Sequence, residues 1–186
     1  VRRALGAAAR ALVARRAPPA PGRFALNRKA SVHGFIGMSP APPWREYLLY
    51  LPRDYDTSRR WPLLLFLHGA GERGSDVERV AFHGPPKMIR EATMEFPFIV
   101  VSPQVPEDRT WSTLFLDALI EEVSAAHAVD EDRIYVTGLS MGGYGSWRLA
   151  ADHPDRFAAV VPICGGGNPE DAKKLVRVLG NRIFGN

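Results

Sequence analysis

The sequence predicts an α/β fold, a mostly parallel sheet with helices on both faces, and three observations lead there. Apolar runs such as WPLLLFL, FPFIVVSPQ and FAAVVPICGGG are continuous rather than alternating. Strands buried on both faces read this way. Segments with helical spacing lie between them, the order of an α/β sheet rather than of a sandwich. Glycines and prolines close the runs at their C-terminal ends, where such sheets place their chemistry.

The elements follow in chain order. YLLYLP (47–52) reads as a strand ended by Pro52, and RDYDTSRR as a polar turn. WPLLLFL (61–67) reads as a buried strand broken by HGAGERG. His83 precedes a helix start marked by Pro85 and Pro86, since proline suits the first helical turn. FPFIVVSPQ (96–104) is the next strand. In TLFLDALIEEVSAAHAV, Phe115, Leu119, Val123 and Ala126 form one stripe, with Asp117, Glu121 and Glu122 off it. RIYVT (133–137) is a short strand. MGGYGSWRLAAD reads as a helix ending at His153-Pro154, and FAAVV opens the last strand.

Residues 1–45 differ in kind. They hold 9 of the 24 basic residues and no acid, so residues 46–186 set 15 basic residues against 20 acids, a net of −5. The domain division is therefore a basic, Ala/Arg/Pro-rich extension over 1–45 and a folded body over 46–186. The extension is expected not to pack on the body up to about residue 40. An organelle transit peptide over residues 1–30 fits its Arg-rich, acid-free composition, and a linker or sequence upstream of the true start fits it too. The acidic body argues against a nucleic-acid partner. No apolar run reaches the roughly 18 residues of a membrane span. The five histidines show no metal-binding spacing, so neither metal nor cofactor is expected. Cys164, the single cysteine, reads as a small buried hydrophobe.

Two motifs carry chemistry. Gly138-Leu139-Ser140-Met141-Gly142 is G-x-S-x-G between a strand and a helix, the setting of a nucleophile elbow. The serine sits there in a tight, strained turn with positive φ, and the small Gly138 and Gly142 leave room for the crossing backbone. His68-Gly69-Ala70-Gly71 follows the earlier strand. Acyl transfer needs two donors aimed at the developing oxyanion. In this arrangement one is the N–H after the nucleophile, Met141, and the other comes from the loop after the earlier strand, where Ala70 is the candidate. Gly69 and Gly71 let that loop approach. His68 reads as a residue that steadies the loop, and His83 as a candidate for the mouth of the site.

From Tyr47 to Gly167 the chain resembles the carboxylesterase and predicted-peptidase branch of the α/β-hydrolases, near dienelactone hydrolases, feruloyl esterases and polyhydroxybutyrate depolymerases. LLLFLHGAGERG, HGPPK, FPFIVVSPQ, DEDRIYVTGLSMGGYGSW and ADHPDRFAAVVPICGGG carry the resemblance, in order. It implies Ser140 as nucleophile, with Met141 and Ala70 as oxyanion donors, acting on a small-molecule ester or acyl substrate. A prolyl-oligopeptidase-like peptidase and a non-catalytic module stay open as alternatives. The family order is Ser, then Asp or Glu, then His. Here the sequence ends 46 residues past Ser140 in LVRVLGNRIFGN, which does not resemble the expected strand. The acid and histidine are expected beyond Asn186, the hydrolase fold is expected to be incomplete at its C-terminus, and the 186-residue chain is expected to be nearly inactive. His153, at the far end of the helix that Ser140 opens, and Asp152, Asp155 and Asp171 are poor substitutes. The acyl and alcohol groups and the oligomeric state are not legible.

Overall fold

The structure is a computed structural model that describes residues 24–27, 46–173 and 175. Six strands form one sheet: β1 (Phe24–Asn27), β2 (Tyr47–Tyr50), β3 (Trp61–Leu67), β4 (Ile99–Pro103), β5 (Val129–Leu139) and β6 (Ala159–Ile163), in the spatial order β1-β2-β4-β3-β5-β6. β3 pairs in parallel with β4 and β5, and β5 with β6; β1–β2 and β2–β4 are antiparallel. The expected α/β architecture, a mostly parallel sheet with helices on both faces, is what forms.

Side chains alternate across the sheet and find helices on both sides. Leu49, Leu63, Leu65 and Leu67 join a large core with Phe115, Leu116, Leu119, Ile120 and Val123 of α2 (Thr113–Ala126) and Leu149 and Ala150 of α3 (Met141–Asp152). On the other face Leu48 meets Val77, Val80 and Ala81 of a 3-10 segment, Val77–Phe82. Phe66 lies there against α1 (Gly84–Arg90), where a β-carbon on Gly84 would come within 2.6 Å of its ring. Ser112 starts α2 by accepting from the Phe115 N–H at 3.4 Å, an ordinary N-cap. Of the expected stripe, Phe115, Leu119 and Val123 are buried and Ala126 is half-buried.

Three expectations need correction. β1 lies inside the segment read as an extension, yet Phe24–Asn27 pairs with Tyr50–Tyr47. β2 offers an open antiparallel edge, and four extended residues suffice to close it. The helix expected to run to Val129 ends at Ala126, and β5 begins at Val129. The strand read as RIYVT thus gains residues at both ends, because Val129 pairs with Trp61 and Gly138 with Leu67. Cys164 is exposed, with φ of 51°. It stands where the chain turns away from β6, past the last pair with β5, so no facing strand covers it. β6 is the end strand among the described residues, and Val161 and Ile163 are 55% and 46% exposed.

Candidate active site

Ser140 occupies the turn between β5 and α3 with φ 54° and ψ −112°. A non-glycine residue there is strained by about 1–3 kcal/mol. Hydrogen bonds and close backbone contacts hold the turn. The Ser140 N–H donates to Ile163 O of β6 at 2.8 Å, and its carbonyl accepts from the Tyr144 N–H at 3.0 Å, the first turn of α3. Below it the backbones of β3, β5 and α3 nearly touch. A β-carbon on Gly138 would lie 2.3 Å from Gly142 O, and one on Gly142 only 1.9 Å from Leu67 O. These positions must be glycine for the elbow to close, as the sequence reading required.

The Ser140 side chain is exposed, and its hydroxyl has no hydrogen-bond partner among the described residues. The Met141 amide, first in α3, has no carbonyl partner within the helix. It stands where the helix dipole favours negative charge.

The loop after β3 comes up against this turn. A β-carbon on Gly69 would sit 3.8 Å from Ser140 Cβ and 3.4 Å from Leu139 O. Ala70, next in sequence and exposed, opens the 3-10 turn Ala70–Glu72, so its N–H also lacks a partner within the turn. By contrast, a β-carbon on Gly71 would meet nothing within 4 Å; openness, not crowding, is what that residue supplies.

The carbonyls of this loop are each held by a side chain. Trp111 Nε1 donates to His68 O at 3.3 Å, and His68 Nδ1 bonds Gly69 O at 2.7 Å. Arg73 Nε donates to Ala70 O at 3.1 Å and Arg79 to Gly71 O at 2.6 Å. In a trans peptide the N–H points opposite to the C=O. Holding Gly69 C=O on the protein side therefore turns the Ala70 N–H the other way. His68 is suited to this. Its Nε2 accepts from the Val105 N–H at 3.1 Å, so Nδ1 carries the hydrogen that reaches Gly69 O. The ring is 1% exposed and packs edge-on to Trp111 at 4.8 Å. Burial pushes the imidazole below its usual range, keeping it neutral, though the bond to Gly69 opposes this. With both nitrogens occupied, His68 steadies the loop, as read from the sequence.

The other histidines are engaged elsewhere. His153 lies 3.8 Å from Asp117, at the far end of α3, and twelve residues of helix separate it from Ser140 by about 18 Å. Asp152 accepts from Thr113 Oγ1 at 2.7 Å. His83, the N-cap residue of α1, reaches Glu72 Oε1 at 3.3 Å. Sequence reasoning missed Glu72, a carboxylate only 8% exposed whose Oε2 lies 3.0 Å from the β-carbon position of Gly69, together with Arg79, Gln104 and Trp111. The signal available for Gln104 was a polar residue directly after a buried apolar strand. His33 lies outside the described residues.

Comparison with known proteins places this chain in a family. Residues 44–172 match the model of the family Esterase, described as "Putative esterase". A probable feruloyl esterase C of Aspergillus terreus is 33% identical over 129 residues, 66% of this chain and 47% of that protein. The chain thus spans about half the length of the curated relatives it matches. The crystal structure of a thermostable esterase is 35% identical, with a TM-score of 0.59 over 70% of this chain and 40% of its own. An S-formylglutathione hydrolase from Staphylococcus aureus shares the fold at 19% identity, with a TM-score of 0.56 over 86% of this chain and 65% of its own.

Proposed function

We propose that this chain, which belongs to the Esterase family, serves in a serine hydrolase that cleaves small-molecule carboxylic esters through an acyl-enzyme. The observation that carries the reading is Ser140 at φ 54° on the N-terminus of α3, with the Gly69 loop seated against it. Ser140 Oγ attacks the ester carbonyl carbon and loses its proton. The carbonyl oxygen becomes an oxyanion between the Ala70 and Met141 amides. The tetrahedral adduct collapses, the bond to the alkoxy oxygen breaks, and the alcohol leaves with a proton. Water then adds to the acyl-enzyme in the same pocket, and the carboxylic acid departs. A serine hydroxyl needs a neighbouring base to take its proton, and no described histidine is hydrogen-bonded to Ser140.

The reading is supported by the hydrogen bonds that occupy the backbone carbonyls of the loop. The carbonyls from His68 to Glu72 are all drawn toward protein donors, so amides are what the loop presents. In well-studied enzymes removal of one such donor costs roughly 10²–10³ in rate. The test uses p-nitrophenyl acetate and a fluorophosphonate probe with the protein expressed from its complete reading frame. Turnover and labelling should both vanish in Ser140→Ala at an unchanged melting temperature. Turnover that survives this substitution would remove Ser140 from the mechanism.

A further inference from the structure

The end of β4 continues as Gln104-Val105, both buried, and Gln104 is 3% exposed. Its backbone is fixed, since the Gln104 N–H donates to Glu46 O at 3.0 Å. Its side-chain Nε2 lies 2.7 Å from Glu72 O, 3.1 Å from Gly74 O and 3.2 Å from Val105 O. A carboxamide has two N–H donors. One serves the short bond to Glu72, and the other is shared between Gly74 and Val105. All three neighbours are acceptors, which fixes which end of the amide faces them.

The bond to Glu72 O acts on the peptide unit that follows it. That unit's N–H belongs to Arg73 and closes the 3-10 turn by donating to Ala70 O at 3.4 Å. This backbone bond is long, close to the limit of a useful hydrogen bond. The turn is thus held less by its own backbone than by Gln104, which draws the Glu72 carbonyl inward and aims the Arg73 N–H at Ala70. The Gly74 N–H is fixed beside it, on Val105 O at 2.9 Å. Ala70 is then bracketed, with His68 holding the peptide unit before it and Gln104, through Arg73, the turn after it.

We propose that Gln104 is a positioning residue for the oxyanion hole, fixing the Ala70–Glu72 turn so that the Ala70 amide faces the carbonyl attacked by Ser140. This rests on the reading of Ser140 and Ala70 given above. Gln104 touches no reacting atom. Its effect falls on the transition state, because only there does negative charge develop opposite Ala70.

The experiment compares wild type, Gln104→Met and Gln104→Glu in the protein expressed from its complete reading frame. Met keeps volume without a donor. Glu keeps shape, but as a carboxylate it faces three carbonyls. Two readouts are taken. By hydrogen exchange, the Arg73 amide should exchange at least about tenfold faster in both variants, since both lose the bond to Glu72 O that orients its peptide unit. The Ser140 amide, bonded to Ile163 O on the far side of the elbow, should be unaffected. By kinetics, kcat on p-nitrophenyl acetate should fall about 10–100-fold with KM changed less than about threefold, and affinity for a boronic acid that forms a tetrahedral adduct should fall in parallel. Unchanged exchange at Arg73 would overturn the proposal, as would unchanged kcat. A fall confined to melting temperature would reduce Gln104 to a core residue. Were wild type to show no Ser140-dependent turnover, the reading of Ser140 would fall, and exchange alone would decide the role of Gln104. If Met fails to fold, Glu carries the test.

Discussion

Gly142→Ala tests how closely the elbow is built. A β-carbon at this position would lie 1.9 Å from Leu67 O and 2.5 Å from Leu67 C. Ordinary contact needs about 3.4 Å, so β3 and α3 must part by about 1.5 Å. Neither side can yield by turning a rotamer, because both are backbone. Leu67 is paired with Gly138 at the centre of the sheet, and Gly142 sits in the first turn of α3. Overpacking against mobile side chains costs about 1–3 kcal/mol. A clash with fixed backbone belongs in the tail of mutational effects, roughly 3–5 kcal/mol. For a chain of this size that lowers Tm by roughly 6–20 °C. The same parting separates Met141 from the Gly69 loop, and a displacement of about 1 Å can cost roughly 10²-fold in rate. Thermal melts followed by circular dichroism, with Gly71→Ala as control, decide the matter. Gly71 has open space and should stay within about 0.5 kcal/mol of wild type. A Gly142→Ala protein melting within about 2 °C of wild type would refute the steric account.

Further outcomes are expected. Ser140→Gly should remove turnover yet raise stability by about 0.5–2 kcal/mol, because glycine accepts φ 54° freely at some cost in chain entropy; a lower Tm would contradict strain at this residue. Glu122, beside Tyr47, has its carboxyl pushed up to about 7, mainly by burial. A raised folded-state value stabilises the native protein fully below the unfolded value of 4.5, and that contribution is lost as pH rises through about 7. The Tm of Glu122→Gln relative to wild type should therefore climb between pH 4.5 and pH 8, and a flat difference would show that Glu122 titrates normally. Cys164 should react with a disulfide reagent such as DTNB at one thiol per folded chain, since it is exposed. Reaction only after unfolding would place it in the core.

Much of the fold was legible because a doubly covered sheet writes each strand as an uninterrupted apolar run. WPLLLFL and the IVVSP of FPFIVVSPQ became β3 and β4 almost as read. The elbow was legible because steric crowding leaves only glycine at Gly138 and Gly142. β1 was not legible. FALN has no periodicity of its own, and its pairing is supplied by the edge of β2 some twenty residues later in the chain. The boundary between α2 and β5 was misplaced for a similar reason, since β5 starts where Trp61 offers a partner, not where the local sequence changes. Cys164 was misjudged because an apolar run reports burial by neighbours, and β6 has a neighbour on one side only among the described residues. The supports of the loop escaped for yet another reason. Gln104 is 32 residues from the carbonyl it holds, and Trp111 is 43 from His68. Nothing local in HGAGERG names either partner.

The construction around Ser140 separates donors from acceptors. Each non-proline residue carries one backbone N–H and one C=O, so a site that uses free N–H groups needs somewhere to put the matching oxygens. At Met141 the helix does this, since carbonyls of the first turn bond forward and leave the leading amides unpaired. At Ala70 there is too little helix, three residues of 3-10 turn, and side chains take over. His68, Arg73, Arg79 and Gln104 each bind a loop carbonyl from beneath or beside it. All four are charged or buried polar groups, costly to place without hydrogen bonds, and Gln104 carries that cost at its Oε1, which is buried without a partner among the described residues. His68 and Gln104 are both deeply buried, at 1% and 3% exposed. Their burial has a consequence for charge as well as for shape. A neutral imidazole and a neutral carboxamide fix the loop without adding a full charge under the amides. The one buried carboxylate nearby, Glu72, pairs with His83 on the side of α1. On the proposed reading of the site, the Ala70 and Met141 amides meet the carbonyl attacked by Ser140, an arrangement better matched to an oxyanion than to a neutral carbonyl.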